Sequence, residues 1–340
     1  MNIREIARRA RVSHSTVSRI INGVATVDPT LARRVQKVID EVGYRPNYQA
    51  RALARGRSRT VGLIVSELSG GNPFFSEIIL YFERIAVEHG YEVLISFADT
   101  QTHPNHVATC VTRMKERQVD GIAVLTFGME RSLRGFPIDL PMIYAGSDEE
   151  LPDVRNVRID YLAGMREAVR HLAGFGHKRI GYLSGQLSWS SMSTRYAAFR
   201  KALKAGGIAF DKDLVVECEH TWDGGALGIA HLLNLPNPPM AVLCCNDVAA
   251  IGAMKTLSMR GIRTGKDIAL IGFDDLTISR YTQPSLSTVH FSPEELTGLA
   301  FRALLEEIQE GDKKRSQYEY KTRFVLREST CAPNENRRNV

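Results

Sequence analysis

The most restrictive feature of this 340-residue sequence is an alternation of apolar runs and helix-like segments that begins at Thr60. Runs such as TVGLIVSE, YEVLISFA, MAVLCCND and IALIGFDD are almost continuously apolar, as strands buried on both faces are. Helix-like segments separate most of these runs, at 74–89, 105–118, 161–174, 193–205, 223–234 and 247–260. This alternation predicts an α/β fold with parallel, doubly wound sheets.

The alternation has too many units for one sheet, and it occurs once before and once after about residue 160. We therefore expect two doubly wound parallel-sheet subdomains with a cleft between them. One is expected from about 60–160 plus 290–320, and the other from 161–288 plus 321–332. Ligands of such sheets bind beyond the carboxyl ends of the strands, so polar strand ends such as SGQLSW, CND and GFDD are candidate ligand contacts.

Positive charge is concentrated at the start of the chain. Residues 1–60 contain 13 Lys and Arg against four acidic residues, a net charge of +9. The whole chain carries +6, so the remaining 280 residues carry −3. A basic module on a slightly acidic body predicts a polyanionic partner for that module alone.

Three short helices are predicted within the first 43 residues. The first has an apolar face made by Ile3, Ile6, Ala7 and Ala10. Ser13 is a suitable N-cap for the second helix, and Asn22-Gly23 a suitable end. The third has Asp28 as N-cap and Pro29 in its first turn, and Gly43 ends it. Its predicted buried stripe is Leu31, Val35, Val38, Ile39 and Val42.

The first two helices have the pattern of a helix-turn-helix, whose second helix presents a polar face to the major groove. In that helix Val17, Ile20 and Ile21 are expected to face inward. His14, Ser15 and Arg19 are the candidate base-reading residues, because their side chains suit base edges. The candidate DNA-backbone contacts are Thr16, Ser18, Asn22, Arg33, Tyr44 and Asn47. Many small helical bundles have the same pattern, so the spacing alone leaves a surface helix as the alternative.

The sequence as a whole resembles the LacI–GalR family of bacterial transcription repressors over about residues 2–330. The shared motifs include VSHSTVSR at 12–19, IDEVGYRPN at 39–47, NPFFSEI at 72–78, GHKRIGYLSG at 176–185 and DIALIGFDD at 267–275. The resemblance implies a helix-turn-helix domain at 1–46, a hinge helix and linker at 47–58, and a periplasmic-binding-protein-like body at 59–332. The tail at 333–340 is expected to be disordered.

The resemblance also implies roles for particular residues. Ala50 and Arg51 would lie in the minor groove, and Leu53 would be an apolar wedge between base steps. Without the resemblance, Leu53 would be interpreted as a stray apolar residue in a linker. The implied effector-binding residues lie between the two subdomains and are Phe74, Phe75, Asp160, Arg195, Asn246 and Asp274, with weaker matches at Ser191 and His220. Trp189 and Trp222 are further candidates because they lie near His220 in the sequence.

These side chains suit a sugar or sugar derivative, because carboxylates, an amide and a guanidinium bind hydroxyls and aromatic faces cover a ring. Each also has a simpler interpretation. Asp274 and Asn246 end strands and could merely cap the following helices. Arg195, in contrast, is expected at the start of a helix, where the dipole disfavours a cation, so its presence there favours a ligand role. Trp189, His220 and Trp222 are all candidates for the ring that stacks on the effector.

Other classes of function are disfavoured. The sequence has no GxSxG, HExxH or GxxxxGK[ST] motif and no zinc spacing among its five cysteines, so we expect no enzyme, metal or cofactor. No apolar run is long enough to span a membrane and no secretory signal is visible, so we expect a cytoplasmic protein with reduced thiols.

We expect a homodimer that binds a pseudopalindromic DNA operator and a small-molecule effector. The C-terminal residues RESTCAPNENRRNV lack the leucine heptads that tetramerising members of the family carry. The alternative is a solute-binding protein with the same two-lobed body and no DNA function. The basic N-terminal module and the absence of a visible secretory signal argue against that alternative.

Overall fold

The computed structural model describes residues 3–21, 27–44, 57–66, 72–98, 106–126, 133, 135–145, 154–310 and 318–333. The chain divides into two compact units, Met1–Arg59 and Thr60–Val340. The first unit is helical and the second contains two sheets flanked by helices.

The N-terminal unit contains three helices, α1 (Ile3–Ala10), α2 (His14–Ile21) and α3 (Pro29–Val42). Their shared core contains Ile6, Ala7, Ala10, Val17, Val35 and Ile39. Asp28 caps α3 by accepting hydrogen bonds from the backbone N–H groups of Thr30 and Leu31. Gly43 ends α3 in the left-handed conformation, at φ 61°. The predicted caps of α3 and the apolar face of α1 are therefore confirmed. The predicted stripe of α3 is confirmed in part, because Leu31 and Val42 are only half-buried and lie outside this core.

The second unit opens with the sheet that we call the N-sheet. Its elements in chain order are β1 (Thr60–Ser66), α4 (Pro73–Glu88), β2 (Glu92–Ala98), α5 (His106–Glu116), β3 (Gly121–Leu125), β4 (Met142–Ala145) and β5 (Arg155–Asp160). A strand from near the end of the chain, β11 (Tyr318–Lys321), completes this sheet. The strand order is β11-β5-β4-β3-β1-β2, and every neighbouring pair is parallel. Apolar strands alternate with crossover helices in this part of the chain, as the sequence predicts.

The following elements form the C-sheet and return to the N-sheet. They are α6 (Tyr161–Gly174), β6 (Ile180–Ser184), α7 (Ser190–Ala205), β7 (Val215–Glu217), α8 (Trp222–Leu233), β8 (Ala241–Cys244), α9 (Asp247–Met259), β9 (Ala269–Asp274), β10 (Ser287–His290), α10 (Pro293–Glu310), β11 (Tyr318–Lys321) and β12 (Arg323–Val325). The C-sheet order is β12-β10-β9-β8-β6-β7, and only the β10–β12 pair is antiparallel. The predicted fold class, a helix-turn-helix unit and two doubly wound sheets, is confirmed.

The chain passes between the sheets at Asp160, after β10, and at Thr322. Thr322 lies between the last two strands and is 2% exposed. Its backbone N–H and its hydroxyl both donate to the carbonyl of Asp160, at 3.2 and 2.7 Å. Its hydroxyl oxygen also accepts from the N–H of Gly164 at 3.1 Å. Two of the three passages are therefore hydrogen-bonded to each other, which places the end of β5 and the start of α6 beside both subdomains.

Candidate nucleic-acid interface and ligand site

Helix α2 exposes the three side chains that the sequence proposes as base readers. His14, Ser15 and Arg19 are exposed, whereas Val17 is fully buried in the three-helix core. Ile20 and Ile21 pack against the same core. The helix is therefore held by one apolar face, and its N-terminal polar end is accessible to a partner.

Hydroxyl groups organise the N-terminus of α2. The Ser13 hydroxyl oxygen accepts from the N–H of Thr16 at 3.0 Å, which is the predicted N-cap. The same hydroxyl lies 2.7 Å from the Ser15 hydroxyl and 2.8 Å from that of Thr16. Ser15 thus starts from an internally bonded position, whereas His14 and Arg19 have no side-chain hydrogen-bond partner within the described residues.

Some of the remaining predicted DNA contacts lie within the described residues, and the others lie outside them. Arg33 is exposed on α3, and Thr16 and Ser18 are half-buried on α2. Tyr44 packs against the three-helix core, so its ring is held in place. The other predicted contacts lie outside the described residues, namely Asn22, Asn47, Ala50, Arg51 and Leu53.

A buried arginine is the centre of the candidate ligand site. Arg195 is 4% exposed, and its guanidinium carbon lies 4.0 Å from the centroid of the Phe273 ring, 5.1 Å from Tyr161 and 5.6 Å from Phe291. Its Nη1 donates to the carbonyl of Cys245 at 2.8 Å. Its Nε is buried and has no hydrogen-bond partner among the described residues. A desolvated cation with one unused donor is suited to an oxygen atom of a ligand.

The sequence predicts Arg195 at the start of a helix, and the structure places it further along. Helix α7 begins at Ser190, so Arg195 lies in the second turn and the unfavourable dipole position does not apply. The aromatic rings around the guanidinium provide the compensation that a buried cation needs. Phe74, at the start of α4, extends this aromatic cluster because its ring stacks on Phe291 with centroids 5.4 Å apart.

Asp274 lies beside the guanidinium and does not cap a helix. Its Oδ1 is 3.7 Å from Nη1 of Arg195, and it is 3% exposed. Burial raises the pKa of the Asp274 carboxyl well above its usual range, and the nearby Arg195 charge only partly opposes that rise. The backbone of Asp274 has a φ of 112°, a region that costs roughly 1–3 kcal/mol for a residue with a side chain. Strain of this kind in a buried carboxylate is a feature of functional sites.

Asn246 has the capping role that its position at a strand end allows. Its side-chain oxygen accepts from the N–H of Ala249 at 2.7 Å and so caps α9. Its side-chain amide donates to the carbonyl of His220 at 3.3 Å. Asn246 therefore holds the segment that carries His220 against the start of α9, and both ends of its amide are already occupied.

Trp189 and His220 form a stacked pair. Their ring centroids are 4.9 Å apart and their planes are 11° from parallel. Gly185 allows this arrangement, because a Cβ at residue 185 would lie 2.0 Å from Nε2 of His220. Burial and the charge of Arg195 lower the pKa of His220 to about 4, so the imidazole is neutral at physiological pH. The Nε2 atom is buried and has no hydrogen-bond partner among the described residues.

The other predicted ligand residues have mainly structural contacts. Asp160 caps α6 by accepting from the N–H groups of Leu162 and Ala163. Phe75 and Trp222 pack against the large core, and Ser191 is fully buried in α7. The structure thus places Arg195, His220, Asn246 and Asp274 close together. It adds Tyr161, Phe273 and Phe291, which the sequence does not single out.

Asp247 stabilises the turn that contains the strained Asp274. It is fully buried at the start of α9, and its carboxylate accepts from the Ser279 hydroxyl at 2.6 Å, the Thr288 hydroxyl at 2.6 Å and the N–H of Leu276 at 2.8 Å. These donors belong to the turn after β9 and to β10. Asp247 therefore ties the turn that begins at Asp274 to both α9 and β10.

The stability of the protein is expected to fall as the pH rises because of Asp247. Burial raises its pKa to about 7 despite its three hydrogen bonds. A carboxyl whose pKa is raised in the folded state stabilises the fold below its unfolded pKa and loses that contribution as the pH rises through the folded value. Between pH 5 and 7.5 we expect the wild type to lose roughly 2–3 kcal/mol relative to Asp247→Asn. Urea unfolding of both proteins at each pH measures the difference, and parallel pH profiles would contradict the expectation.

A separate cleft of about 440 Å³ opens beside the start of α6 and the first turns of α7. Its lining includes Arg158, Asp160, Ser193, Thr194 and Lys201. It shares Asp160 with the predicted effector residues and Tyr161 with the rings around the guanidinium, but Arg195 itself does not line it. The unused buried donor of Arg195 makes its surroundings the better candidate for a specific ligand.

Within the described part of the chain, no cluster of three or more His, Cys, Asp or Glu side chains is arranged to hold a metal ion. None of the described helices is both long and apolar enough to cross a membrane.

Two family descriptions match this chain. Residues 2–47 match bacterial regulatory proteins of the lacI family, and residues 169–330 match the periplasmic binding protein-like domain. The ribose operon repressor of Haemophilus influenzae is 31% identical, with 96% of this chain and 98% of that protein covered. The HTH-type transcriptional repressor CytR of Escherichia coli K12 is 32% identical, with 90% and 89% covered. Both relatives are repressors.

Solved structures resemble the whole chain as well. The lac repressor dimer bound to operator and the anti-inducer ONPF has a TM-score of 0.88 and 26% identity, with 98% of this chain and 99% of that chain covered. The complex of the transcriptional regulator CelR with cellobiose has a TM-score of 0.71 and 27% identity, with 97% and 99% covered.

Proposed function

This chain belongs to the LacI family of DNA-binding transcriptional repressors, and we propose that a small carbohydrate-like effector bound at Arg195 controls its affinity for a pseudopalindromic operator. The observation that carries the effector part is the buried guanidinium of Arg195, with its unused Nε, beside the strained carboxyl of Asp274.

The chemistry of that site favours an oxygen-rich ring. Arg195 and Asp274 offer a donor and an acceptor to vicinal hydroxyls, and the neighbouring aromatic rings suit the apolar face of a sugar. Among the similar proteins, one is a ribose operon repressor and another is in complex with cellobiose. We choose Trp189 as the ring that stacks on the effector. The His220 imidazole is already held in place, because one of its faces packs on Trp189 and its Nε2 edge faces Gly185.

On DNA, we assign base reading to His14, Ser15 and Arg19. Phosphate contacts from the other basic and polar residues would supply affinity without sequence choice. We assign the minor groove to Ala50 and Arg51, and the wedge that opens a base step to Leu53. In a dimer, two such modules would read half-sites about 34–36 Å apart.

Exposed apolar side chains on the second unit support a dimer. Leu227, Met259 and Tyr281 on the C-terminal subdomain are 74%, 79% and 81% exposed, and Leu80 and Val87 on α4 are 62% and 57% exposed. A second copy of this chain is the partner that a pseudopalindromic site requires, and these side chains are the candidates for the apolar part of its contact surface.

The DNA part of the proposal is tested by selecting duplexes from a random library and measuring their affinity by gel shift at several salt concentrations. Arg19→Ala should cost about 1–3 kcal/mol for the selected duplex and much less for a scrambled one, because a base contact is lost. Arg8→Ala is the matched control, since Arg8 is an exposed arginine of α1 paired with Glu5 at 2.6 Å. It should lower both affinities by similar factors.

Equal losses on selected and scrambled duplexes for Arg19→Ala would remove Arg19 from the base readers. An affinity with no sequence preference and little dependence on salt would remove the operator itself from the proposal.

A further inference from the structure

The turn that begins at Asp274 contains a second aspartate, which joins two parts of the chain that are distant in sequence. Asp275 follows β9 directly, and its side chain is 4% exposed. One oxygen of its carboxylate lies 2.7 Å from Nδ1 of His290, and the other accepts a hydrogen bond from Nη2 of Arg327. An ionised carboxylate only accepts hydrogen bonds, so both of these nitrogens donate to it. Asp275 therefore connects the end of β10 to the segment after β12.

These two partners lie before and after the part of the chain that visits the subdomain of the N-sheet. His290 ends β10, and the chain then enters α10, which packs on α4 and the N-sheet. Arg327 follows β12, after the chain has returned to the C-sheet. Its Nη1 donates to the carbonyl of Leu286 at 2.7 Å, and its backbone N–H donates to the Ser287 hydroxyl at 2.8 Å. Asp275 and Arg327 thus hold the outgoing and the returning segments together.

With Asp275, all three passages between the sheets are connected. Thr322 binds the carbonyl of Asp160, which ties the last passage to the first. Asp275 ties the passage after β10 to the segment that follows the last passage. The Nε2 atom of His290 also lies 3.4 Å from Oε1 of Glu295 on α10, so the imidazole contacts carboxylates of both subdomains. A change in the angle between the subdomains would therefore act on Asp275 or on a residue bonded to it.

The contacts of Asp275 are those of a buried charge that resists displacement. Burial raises the pKa of its carboxyl, but the hydrogen bonds from His290 and Arg327 outweigh burial, so the pKa lies below its ordinary value. Breaking either pair would leave an uncompensated charge in the interior, which is strongly unfavourable. The backbone of Asp275 has a φ of 59°, next to the 112° of Asp274. Successive side chains of one turn therefore contact Arg195 in the ligand site and the passages between the subdomains.

We propose that Asp275, His290 and Arg327 form a subdomain clamp, in which Asp275 is a positioning residue that limits motion between the subdomains and thereby sets operator affinity. The preceding residue, Asp274, is the carboxyl of the candidate ligand site, and its backbone carbonyl accepts from the N–H of Phe291 at 3.3 Å. A ligand that moves Asp274 therefore acts on the clamp and on the passage after β10. The control of operator affinity rests on the proposed function, whereas the clamp itself does not.

Amide hydrogen exchange of the full-length protein, without DNA or effector, tests the clamp. In Asp275→Gly, the segments 286–293 and 318–325 should exchange roughly tenfold or more faster relative to β8, because two hydrogen bonds to a charged group are lost. Glycine is chosen because it adopts a φ of 59° without strain, so the backbone of the turn is kept. Arg327→Met removes one of the two donors and should accelerate the same segments. Adding it to Asp275→Gly should change little, because both act on one contact.

The matched control is Asp267→Gly. Asp267 lies just before β9, at the other end of the same strand, and its side chain is 6% exposed. Its carboxylate accepts from Nε and Nη2 of Arg263 at 2.8 and 2.9 Å. The control therefore also removes a buried carboxylate bonded to an arginine and also introduces a glycine, but it breaks no contact between the passages. It should accelerate exchange at 263–267 and leave 286–293 and 318–325 as in the wild type.

Gel shift with the duplex selected from the random library tests the functional consequence. Asp275→Gly should bind that duplex about fivefold or more weakly than the wild type, because a looser pair of subdomains spends less time in the geometry that binds both half-sites. Its affinity for a scrambled duplex should be unchanged, since the basic module is intact. Asp267→Gly should match the wild type on both duplexes.

The proposal is overturned if the segments 286–293 and 318–325 keep their wild-type exchange relative to β8, or if Asp267→Gly accelerates them equally. It is also overturned if faster exchange in Asp275→Gly is not accompanied by weaker binding to the selected duplex. If the library yields no selected duplex, the proposed function fails, and the exchange measurement still decides whether the clamp exists.

Discussion

Replacing Asp247 by Ala is expected to reduce the free energy of unfolding by about 3–4 kcal/mol, because three donors in the interior lose their acceptor and a small cavity forms. The donors are the Leu276 N–H and the hydroxyls of Ser279 and Thr288. The turn that begins at Asp274 would then lose the contacts that hold its strained backbone. Urea unfolding followed by tryptophan fluorescence measures the loss.

The matched control is Asp223→Ala. Asp223 is also an aspartate in the first turn of a helix, but it is exposed, so it shares only the interaction with the helix dipole. We expect its loss to cost about 0.3–1 kcal/mol. Equal effects for the two variants would show that Asp247 acts through the dipole and not through its buried hydrogen bonds.

Gly272 allows a second, independent check of the same contact. A Cβ at residue 272 would lie 2.1 Å from Oδ1 of Asp247. Gly272→Ala should therefore be strongly destabilising in the wild type and much less so in the Asp247→Ala background, where that oxygen is absent. Additive effects in this double-mutant cycle would contradict the assigned geometry.

Much of the fold could be predicted because its signals are local. Apolar runs and helical spacing identify β1 to β6, β8, β9 and the helices between them, and capping residues such as Asp28 and Gly43 set helix ends. Apolar runs do not mark β7, β10, β11 or β12, which have three or four residues each. In β10, the hydroxyls of Ser287 and Thr288 are fully buried, because partners distant in sequence satisfy them.

The missed helix α10 had a usable signal. Its buried residues Leu296, Ala300, Ala303 and Leu304 have helical spacing, and Ser292 and Pro293 precede or begin it as good helix starts do. The short strands had no comparable signal, since their pairing depends on neighbouring strands that are distant in the sequence.

The ligand site shows the same limit. Sequence can suggest Arg195 and Asp274 by resemblance, but the ring of Tyr161, Phe273 and Phe291 around the guanidinium arises from three separate strand ends. The positive φ of Asp274 and the role of Asp247 behind it also depend on tertiary contacts. A side chain that ends a strand can cap a helix, as Asn246 does, or pair with a buried charge, as Asp274 does, and local sequence does not distinguish the two.

Replacing Arg195 by Met is expected to abolish the response to effector and to make stability depend more steeply on pH. The effector would be the compound that raises the melting temperature most in a screen of sugars, sugar acids, sugar phosphates and nucleosides. Loss of a charged hydrogen bond in a buried site corresponds to about 1.5–3 kcal/mol, or roughly a 10- to 150-fold weaker affinity. Titration calorimetry with that compound measures the loss.

The pH dependence follows from the carboxyl that remains. Asp274 already has a raised pKa because it is buried, and Arg195 is the charge that opposes the rise. Without Arg195 the pKa of Asp274 rises further. The variant should therefore lose more stability at pH 8 than at pH 5, because at pH 8 the buried carboxyl either carries an uncompensated charge or must stay protonated, and both cost free energy.

Two further variants separate the ligand role of Arg195 from its structural role. Arg195→Met combined with Asp274→Asn should recover stability at pH 8, because no buried charge remains, and still fail to respond to effector. Asn is chosen because it tolerates a positive φ better than most residues, and the backbone there is at 112°. Arg200→Met is the control on the same helix, since Arg200 lies over the rings of Tyr196 and Phe210 but is exposed. If the double variant regained the effector response along with its stability, Arg195 would be a support for the fold and not a contact to the ligand.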